Sequence, residues 1–362
     1  MINDFKPNGL PLLIGSLPVD DHLLAIKLVL EYTPEIPLWV QLPVFREEGM
    51  IAQFLPGLPG LTEEEERFFI NTSGRNFDDD IIEFYGEYIS VIEGEKELDD
   101  TRFVLTPETA KGFFIFTGKI KDLPVKPKAV KGQITGPVTL ATSVSDRDGK
   151  AVFYNEDMRD AVVKLVAMKA AWQVRRLSEF KVPVIIFFDE AALAGFGSSA
   201  FIGISPHEVA GCFEEVIDAV HKEAGLAGIH VCSNADWSVV LESSADIVSF
   251  DAYSYFDKFV LYSDHIRKFF ESGRMIAWGI VPTLRIEDIE RENAASLAEN
   301  WKKKAKMLEP LGFDLRAVLA QSFITPSCGT GSLNLDHAIK VLKMTKEVSQ
   351  ILRKEIGNYQ KG

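Results

Sequence analysis

The side chains of this chain best suited to chemistry are one histidine and two cysteines. His230-Val231-Cys232 ends the apolar run Gly228–Cys232, and Cys328 lies in the loop Thr325-Pro326-Ser327-Cys328-Gly329-Thr330-Gly331 that follows another run, Val318–Ile324. Alternate residues of a β-strand face the same way, so an imidazole and a thiol two residues apart project together. Imidazole nitrogen and cysteine thiolate are common zinc ligands, and a catalytic zinc keeps three protein ligands and one exchangeable position. The pattern points to one metal ion held by these three groups, with a position left open. His-x-Cys alone carries little, because a free cysteine is most often a small buried hydrophobe. Cys212, in the amphipathic stretch His207–Glu223, has that reading.

The pair gains meaning from the elements that must position it. Short apolar runs recur at Leu10–Leu17, Pro37–Leu42, Ala129–Thr135, Val182–Asp189, Gly228–Cys232, Asp246–Asp251, Met275–Val281 and Val318–Ile324. Most are rich in Val, Ile and Phe and end in Gly, Pro, Asp or Ser, as strands buried on both faces do. Asp20–Tyr32, Met158–Phe180, His207–Glu223, Ile286–Met307 and Leu335–Arg353 place apolar residues at helical spacing. This alternation predicts an α/β fold, a (β/α)8 TIM barrel forming a single domain over residues 1–362. An open doubly wound sheet is the alternative; it would favour a Gly-rich first turn, which Gly15-Ser16-Leu17-Pro18 is not. In a barrel the C-terminal strand ends face the active site. The polar residues there are Ser16, Thr135, Asp189, His230, Cys232, Asp251 and Cys328. The interval from Gly57 to Lys128 exceeds one crossover and reads as an insertion on the rim. It holds an acidic stretch (Glu63–Glu66), a helix (Asp78–Ile92) and a hairpin (Phe103–Thr117).

Composition narrows the function classes. The 362 residues are 46% hydrophobic, enough for a large core, and carry a net charge of −14 with no Lys/Arg-rich block. That excludes a nucleic-acid binder, which needs a concentrated positive surface. Three cysteines, an odd and sparse set, do not make a disulfide framework. The start Met1–Lys6 is polar, and the run Leu10–Leu17 is too short to span a bilayer. A cytoplasmic protein with no membrane partner is expected.

Further motifs stand beside the metal residues: Ile14-Gly15-Ser16, Glu83-Phe84-Tyr85-Gly86-Glu87, Thr135-Gly136-Pro137-Val138-Thr139 and Asp189-Glu190. With them, the sequence from about Leu12 to about Val348 resembles the catalytic barrel of cobalamin-independent methionine synthase, within the uroporphyrinogen decarboxylase-like superfamily. It is most similar to the short core forms that lack a further N-terminal barrel. The resemblance implies zinc held by His230, Cys232 and Cys328, with Asp251 where the family has Glu. The shorter Asp251 carboxylate either ligates or stays behind the ligands, orienting one of them or a water. It also implies homocysteine as the thiol, its ammonium on Glu83 and Asp189 and its carboxylate at the Ile14-Gly15-Ser16 turn, with Asp189 and Asp251 as catalytic residues and methionine as product. Without the resemblance, Asp189 and Glu190 could simply cap a helix beginning at Ala191.

The folate side of the family pattern is thinner. Ser143 stands where a pterin-stacking Trp is expected, Leu123-Pro124 precedes Val125-Lys126-Pro127 where an Arg is expected, and Gly279-Ile280-Val281-Pro282-Thr283 lacks a His. The expected donor is therefore methylcobalamin or another methylcorrinoid, free or on a corrinoid protein, because a corrinoid leaves without needing a proton. Rival readings are a methyltransferase for another thiol such as coenzyme M, whose sulfonate would want cations rather than Glu83 and Asp189, and a non-catalytic, zinc-stabilised barrel subunit of a corrinoid complex. A porphyrin-acetate decarboxylase would need an arginine-rich N-terminal loop, and Pro37–Glu48 contains only Arg46.

Overall fold

Proline decides how the first two apolar runs join the sheet. The computed structural model describes residues 5–65, 67–195 and 203–357, so Glu66 of the acidic stretch lies outside the described residues. Eight strands form among them: a hairpin of β1 (Leu61–Glu64) and β2 (Arg67–Ile70), and a parallel sheet of β3 (Val130–Thr135), β4 (Val184–Asp189), β5 (Leu226–Val231), β6 (Ile247–Phe250), β7 (Met275–Val281) and β8 (Ser322–Pro326), adjacent in that order. The runs Leu10–Leu17 and Pro37–Leu42 form no ladder. They close the curled sheet through single parallel bridges, Pro11 with Ile324, Ser16 with Gln41, and Leu38 with Lys131. Pro11 and Pro37 have no N–H to give to a ladder. Closure rests on scattered bonds such as Leu12 N to Ile324 O (3.0 Å), Gln41 N to Gly15 O (3.1 Å) and Lys131 N to Pro37 O (3.0 Å). The result is a TIM-barrel-like ring of six regular and two irregular positions.

The register sorts the side chains. Lys131 pairs with Ile185, Gln133 with Phe187, and Asp189 with His230, which pairs in turn with Ser249; Ala277 pairs with Phe323. Residues of this parity share one face. Its lower part is an apolar cluster that includes Leu12, Ile14, Ile185, Phe187, Ala277 and Phe323. Its upper part, at the C-terminal strand ends, is polar. The opposite parity joins the larger core beneath the helices.

The helices start where local capping chemistry allows. Asp21 caps His22–Tyr32, and Ser205 with Glu208 forms a capping box on Pro206–Lys222. The stretch expected as one helix over Ile286–Met307 is two, Ile286–Arg291 and Ala294–Lys306, because Asn293 caps the second. Val318 belongs to a short helix, Leu315–Ala320, so the last strand begins later than the apolar run.

The insertion differs from expectation in one element. The segment expected as a hairpin, Phe103–Thr117, instead runs into a helix over Lys111–Lys121. Phe113, Phe116 and Ile120 recur at helical spacing and are buried, and Gly112 lets the helix lie against the Val40 carbonyl, where a Cβ would overlap. The hairpin forms earlier, at β1 and β2, its turn using Glu65 at φ 48°. The predicted helix is present as Phe77–Ile92. Arg102 binds that helix through Asp80 (2.7 Å), Glu83 (3.2 Å) and Glu87 (3.3 Å). Lys169, fully buried on the helix Glu156–Ser178, donates to Val104 O at 3.0 Å and ties the insertion to the barrel.

Burial pushes the Lys169 amine down to about 7 from its ordinary value of 10.5. Between those pH values the unfolded chain binds a proton that the folded chain does not. Wild-type stability should therefore rise with pH through this window, by at most about 1.4 kcal/mol per pH unit from this group. Denaturant unfolding at pH values across the window should show the wild type gaining on a Lys169→Met variant as pH rises; a gap independent of pH would contradict the assignment.

Candidate metal centre

His230 faces the lumen near the end of β5, with its side chain buried. Its Nδ1 is 2.9 Å from Ser249 Oγ, the residue beside it on β6. This leaves Nε2 buried with no partner. A buried polar nitrogen without a partner is costly and uncommon. An ion would satisfy it, and a hydrogen bond to the other ring nitrogen is what usually orients a ligating histidine. Burial, reinforced by the Lys131 cation, pushes the imidazole down to about 3, so at neutral pH the ring is uncharged and keeps a lone pair.

Cys232 follows β5 directly and Cys328 lies two residues beyond β8. Ligand atoms of His230, Cys232 and Cys328 all lie within 4.8 Å of one another, the only such group among the described residues. Ligands at 2.0–2.3 Å from one tetrahedral ion are separated by roughly that much or less. The neighbouring thiols shift each other: Cys328 holds Cys232 below the ordinary thiol range, and Cys232, with burial, holds Cys328 above it. A neutral imidazole and two thiols suit zinc. Cys212 stands apart, buried on the helix Pro206–Lys222, its thiol pushed up to about 12 by burial.

Ser16 holds the Cys328 loop in place. Thr330 donates to the Ser16 carbonyl through both N and Oγ1 (3.0 Å each), and Gly331 N donates to Ser16 Oγ at 3.2 Å. A Cβ at Gly329 would overlap Ser16 Oγ, and one at Gly331 would come within 2.9 Å of it, so close approach requires both glycines.

The three candidate ligands line an open cavity of 330 Å³ together with Gly15, Ser16, Gln41, Glu48, Met50 and Asp189. Asp189 Oδ1 is buried without a partner. Burial pushes its carboxyl up to about 7 against the attraction of Lys131, and pushes the Lys131 amine down to about 7 against the attraction of Asp189. Lys131 donates to Ile14 O and to Gln133 Oε1 (3.2 Å), and its ammonium stands 4.6 Å from the Phe187 ring centre. Glu190 turns away from the cavity. It accepts from Val138 N (3.0 Å), Thr139 N (2.8 Å) and Thr139 Oγ1 (2.6 Å), and so caps the helix Pro137–Ser143 of the neighbouring unit. A Cβ at Gly136 would overlap it. Glu190 therefore does not cap a helix beginning at Ala191.

Two expected site residues are not brought into the cavity. Asp251, buried at the end of β6, caps the helix Ala252–Phe259, accepting from Ser254 N at 2.8 Å, and is not in the three-ligand group. Glu83 lies on the insertion helix with its side chain 68% exposed, paired to Arg102. The structure also adds residues that sequence reasoning missed. Ser249 and Lys131 could have been found by strand parity, since both share the face of His230. Gln41 lies in the run Pro37–Leu42, which forms no ladder, and Glu48 in the short helical turn Arg46–Glu48 after it, so neither has a ladder partner whose parity could be read.

No protein-family model and no curated protein matches the sequence. Among solved structures, the chain is similar to a B12-independent methionine synthase from Shewanella sp. W3-18-1 in complex with selenomethionine, at 16% identity over 63% of each chain with a TM-score of 0.45. It is also similar to a methyltransferase from Methanosarcina mazei, at 14% identity over 67% of this chain and 64% of that one, with a TM-score of 0.40. The matched region spans less than two thirds of either solved chain.

Proposed function

We propose that this chain is a zinc-dependent methyltransferase that methylates the thiol of homocysteine to give methionine. The observation that carries the reading is the convergence of His230, Cys232 and Cys328 on the wall of an open cavity. Three ligands with a cavity beside them match a catalytic zinc site rather than a closed structural one. Zinc held there would lower the thiol's proton affinity so that it reacts as the thiolate.

The chain's own residues have defined tasks in this reading. His230 ligates through Nε2 because Ser249 occupies Nδ1. Cys232 and Cys328 supply two anionic sulfurs, which keep the site electron-rich and the substrate sulfur nucleophilic. Asp189 offers its unpartnered Oδ1 to the substrate ammonium. Among the described residues the cavity lining contains no arginine or lysine, which disfavours a sulfonate thiol such as coenzyme M. Asp251 fixes the helix after β6. In the transfer, a carbon–sulfur bond forms as the donor–methyl bond breaks, and the electron pair of the broken bond leaves with the donor. Positioning of the two reactants supplies most of the acceleration. The donor in this reading is a methylcorrinoid. Its support is the sequence around Ser143, Leu123-Pro124 and Gly279–Thr283, which lacks the aromatic and charged groups expected for a folate.

Metal analysis should find about one zinc per chain in the wild type and far less in Cys328→Ser, as loss of one of three ligands requires; no zinc in either protein, and none taken up on reconstitution, would overturn the reading. Asp189→Asn should keep its zinc but raise KM for homocysteine by about 10- to 100-fold, the worth of one charge-assisted hydrogen bond. Methionine should form from homocysteine with methylcobalamin and not with methyltetrahydrofolate. The reverse preference would reassign the donor while leaving the metal site standing.

A further inference from the structure

With Glu83 in solvent, Asp189 is the one carboxylate of the expected pair that lines the cavity. An ammonium group has three N–H donors, which a single carboxylate leaves partly unfilled. The same cavity is lined by a second acid, Glu48, on the loop after the second apolar run, with its side chain 4% exposed. Glu48 Oε1 is 2.6 Å from His22 Nε2, and Oε2 accepts from Leu42 N at 3.0 Å. Each carboxylate oxygen has two acceptor sites, so both keep capacity after these bonds. The His22 ring stacks on Phe45 (5.6 Å, 6° between planes), which fixes the pair.

Gln41 adds an acceptor on the same wall. Its Nε2 donates to Gln53 Oε1 (2.6 Å), and Gln53 Nε2 donates to Thr109 O (2.6 Å). That chain fixes the amide, so Oε1 lies beside Gly15, 2.9 Å from where a Cβ would stand. Glu48, Gln41 and Asp189 therefore bring three acceptor-bearing side chains to the lining of one cavity, which among the described residues has no lysine or arginine. Buried acceptors of this kind favour a ligand that brings donors and disfavour one that lacks them.

We propose that Glu48, supported by Gln41, is a specificity-determining residue that shares the substrate ammonium with Asp189, the role sequence resemblance had placed on Glu83. The proposal rests on the reading of the cavity as an amino-acid thiol site. It makes the enzyme select for the amine of its substrate through a loop locked by the His22–Glu48 pair.

The test uses cobalt(II)-substituted full-length protein, in which thiol ligation is read from the sulfur-to-cobalt charge-transfer absorption. Homocysteine and the corresponding mercaptobutyrate, which lacks only the amine, are titrated separately. Wild type should bind homocysteine more tightly by about 10-fold or more, from charge-assisted hydrogen bonds to the ammonium. Glu48→Gln should lose most of that preference while its affinity for the mercaptobutyrate stays unchanged; Glu83→Gln should keep the preference. Equal weakening of both thiols in Glu48→Gln, or an intact preference, overturns the proposal, as does loss of the preference in Glu83→Gln. Gln41→Leu should reduce the preference by a smaller factor. It also supplies the answer if Glu48→Gln does not fold, since an unchanged preference there overturns the proposal too. Absence of any spectral response to either thiol in the wild type overturns the thiol-site reading itself, a result distinct from the others.

Discussion

Ser16 and the loop after Cys328 join the beginning of the barrel to its end. Two donors of Thr330 on the Ser16 carbonyl and Gly331 N on its hydroxyl make the clasp, and Gly329 and Gly331 make room for it. Each bond contributes about 1 kcal/mol, but what they determine is geometric. His230 sits on a regular strand and Cys232 directly follows it, whereas Cys328 hangs on a loop beyond the last one. Its distance from the other two ligands depends on what holds that loop, and Ser16 holds it. Ser16 is in turn on a segment with no ladder of its own. Lys131 secures that segment from inside the lumen by donating to Ile14 O. The candidate metal centre is thus built through a chain of contacts from β3 to the first run to the final loop.

The lumen carries charge where barrels usually carry only apolar layers. Lys131, Asp189 and His230 share the parity of Phe187 and Ile185, directly above the apolar cluster. Isolated buried charges are expensive, and such groups persist when they are paired or hydrogen-bonded. Lys131 has Ile14 O, Gln133 and the face of Phe187. Asp189 and His230 each keep one buried polar atom unmatched. Both residues line one cavity, where a ligand could complete them. Glu190, one residue from Asp189 and on the opposite face, is fully matched by the helix terminus it caps. Adjacent acids on one strand thus serve two purposes because alternate residues face opposite sides.

Local pattern and strand parity determined much of this protein by themselves. Hydrophobic periodicity located the six regular strands and the long helices, because burial on two faces or one face leaves its period in the sequence. Strand parity placed His230 and Cys232 together, and the position of Cys328 after the last strand placed it at the same end of a parallel barrel. Tertiary structure alone decided what no local window contains. Pro11 and Pro37 lie in runs that look like strands, yet only their neighbours show that they close the ring by single bridges. The helix Lys111–Lys121 can lie where it does because Gly112 packs on Val40, a contact across the fold. Glu83 matches a motif but faces solvent because Arg102 draws it to the insertion surface, while Asp251 stands at a strand end but serves the next helix. Glu48 and Gln41 matched no motif and line the cavity because His22, Leu42 and Gln53 hold them there. Periodicity encodes which face of an element is buried; which distant side chain fills a given cavity depends on loop docking, and that is set by contacts between residues far apart in the chain.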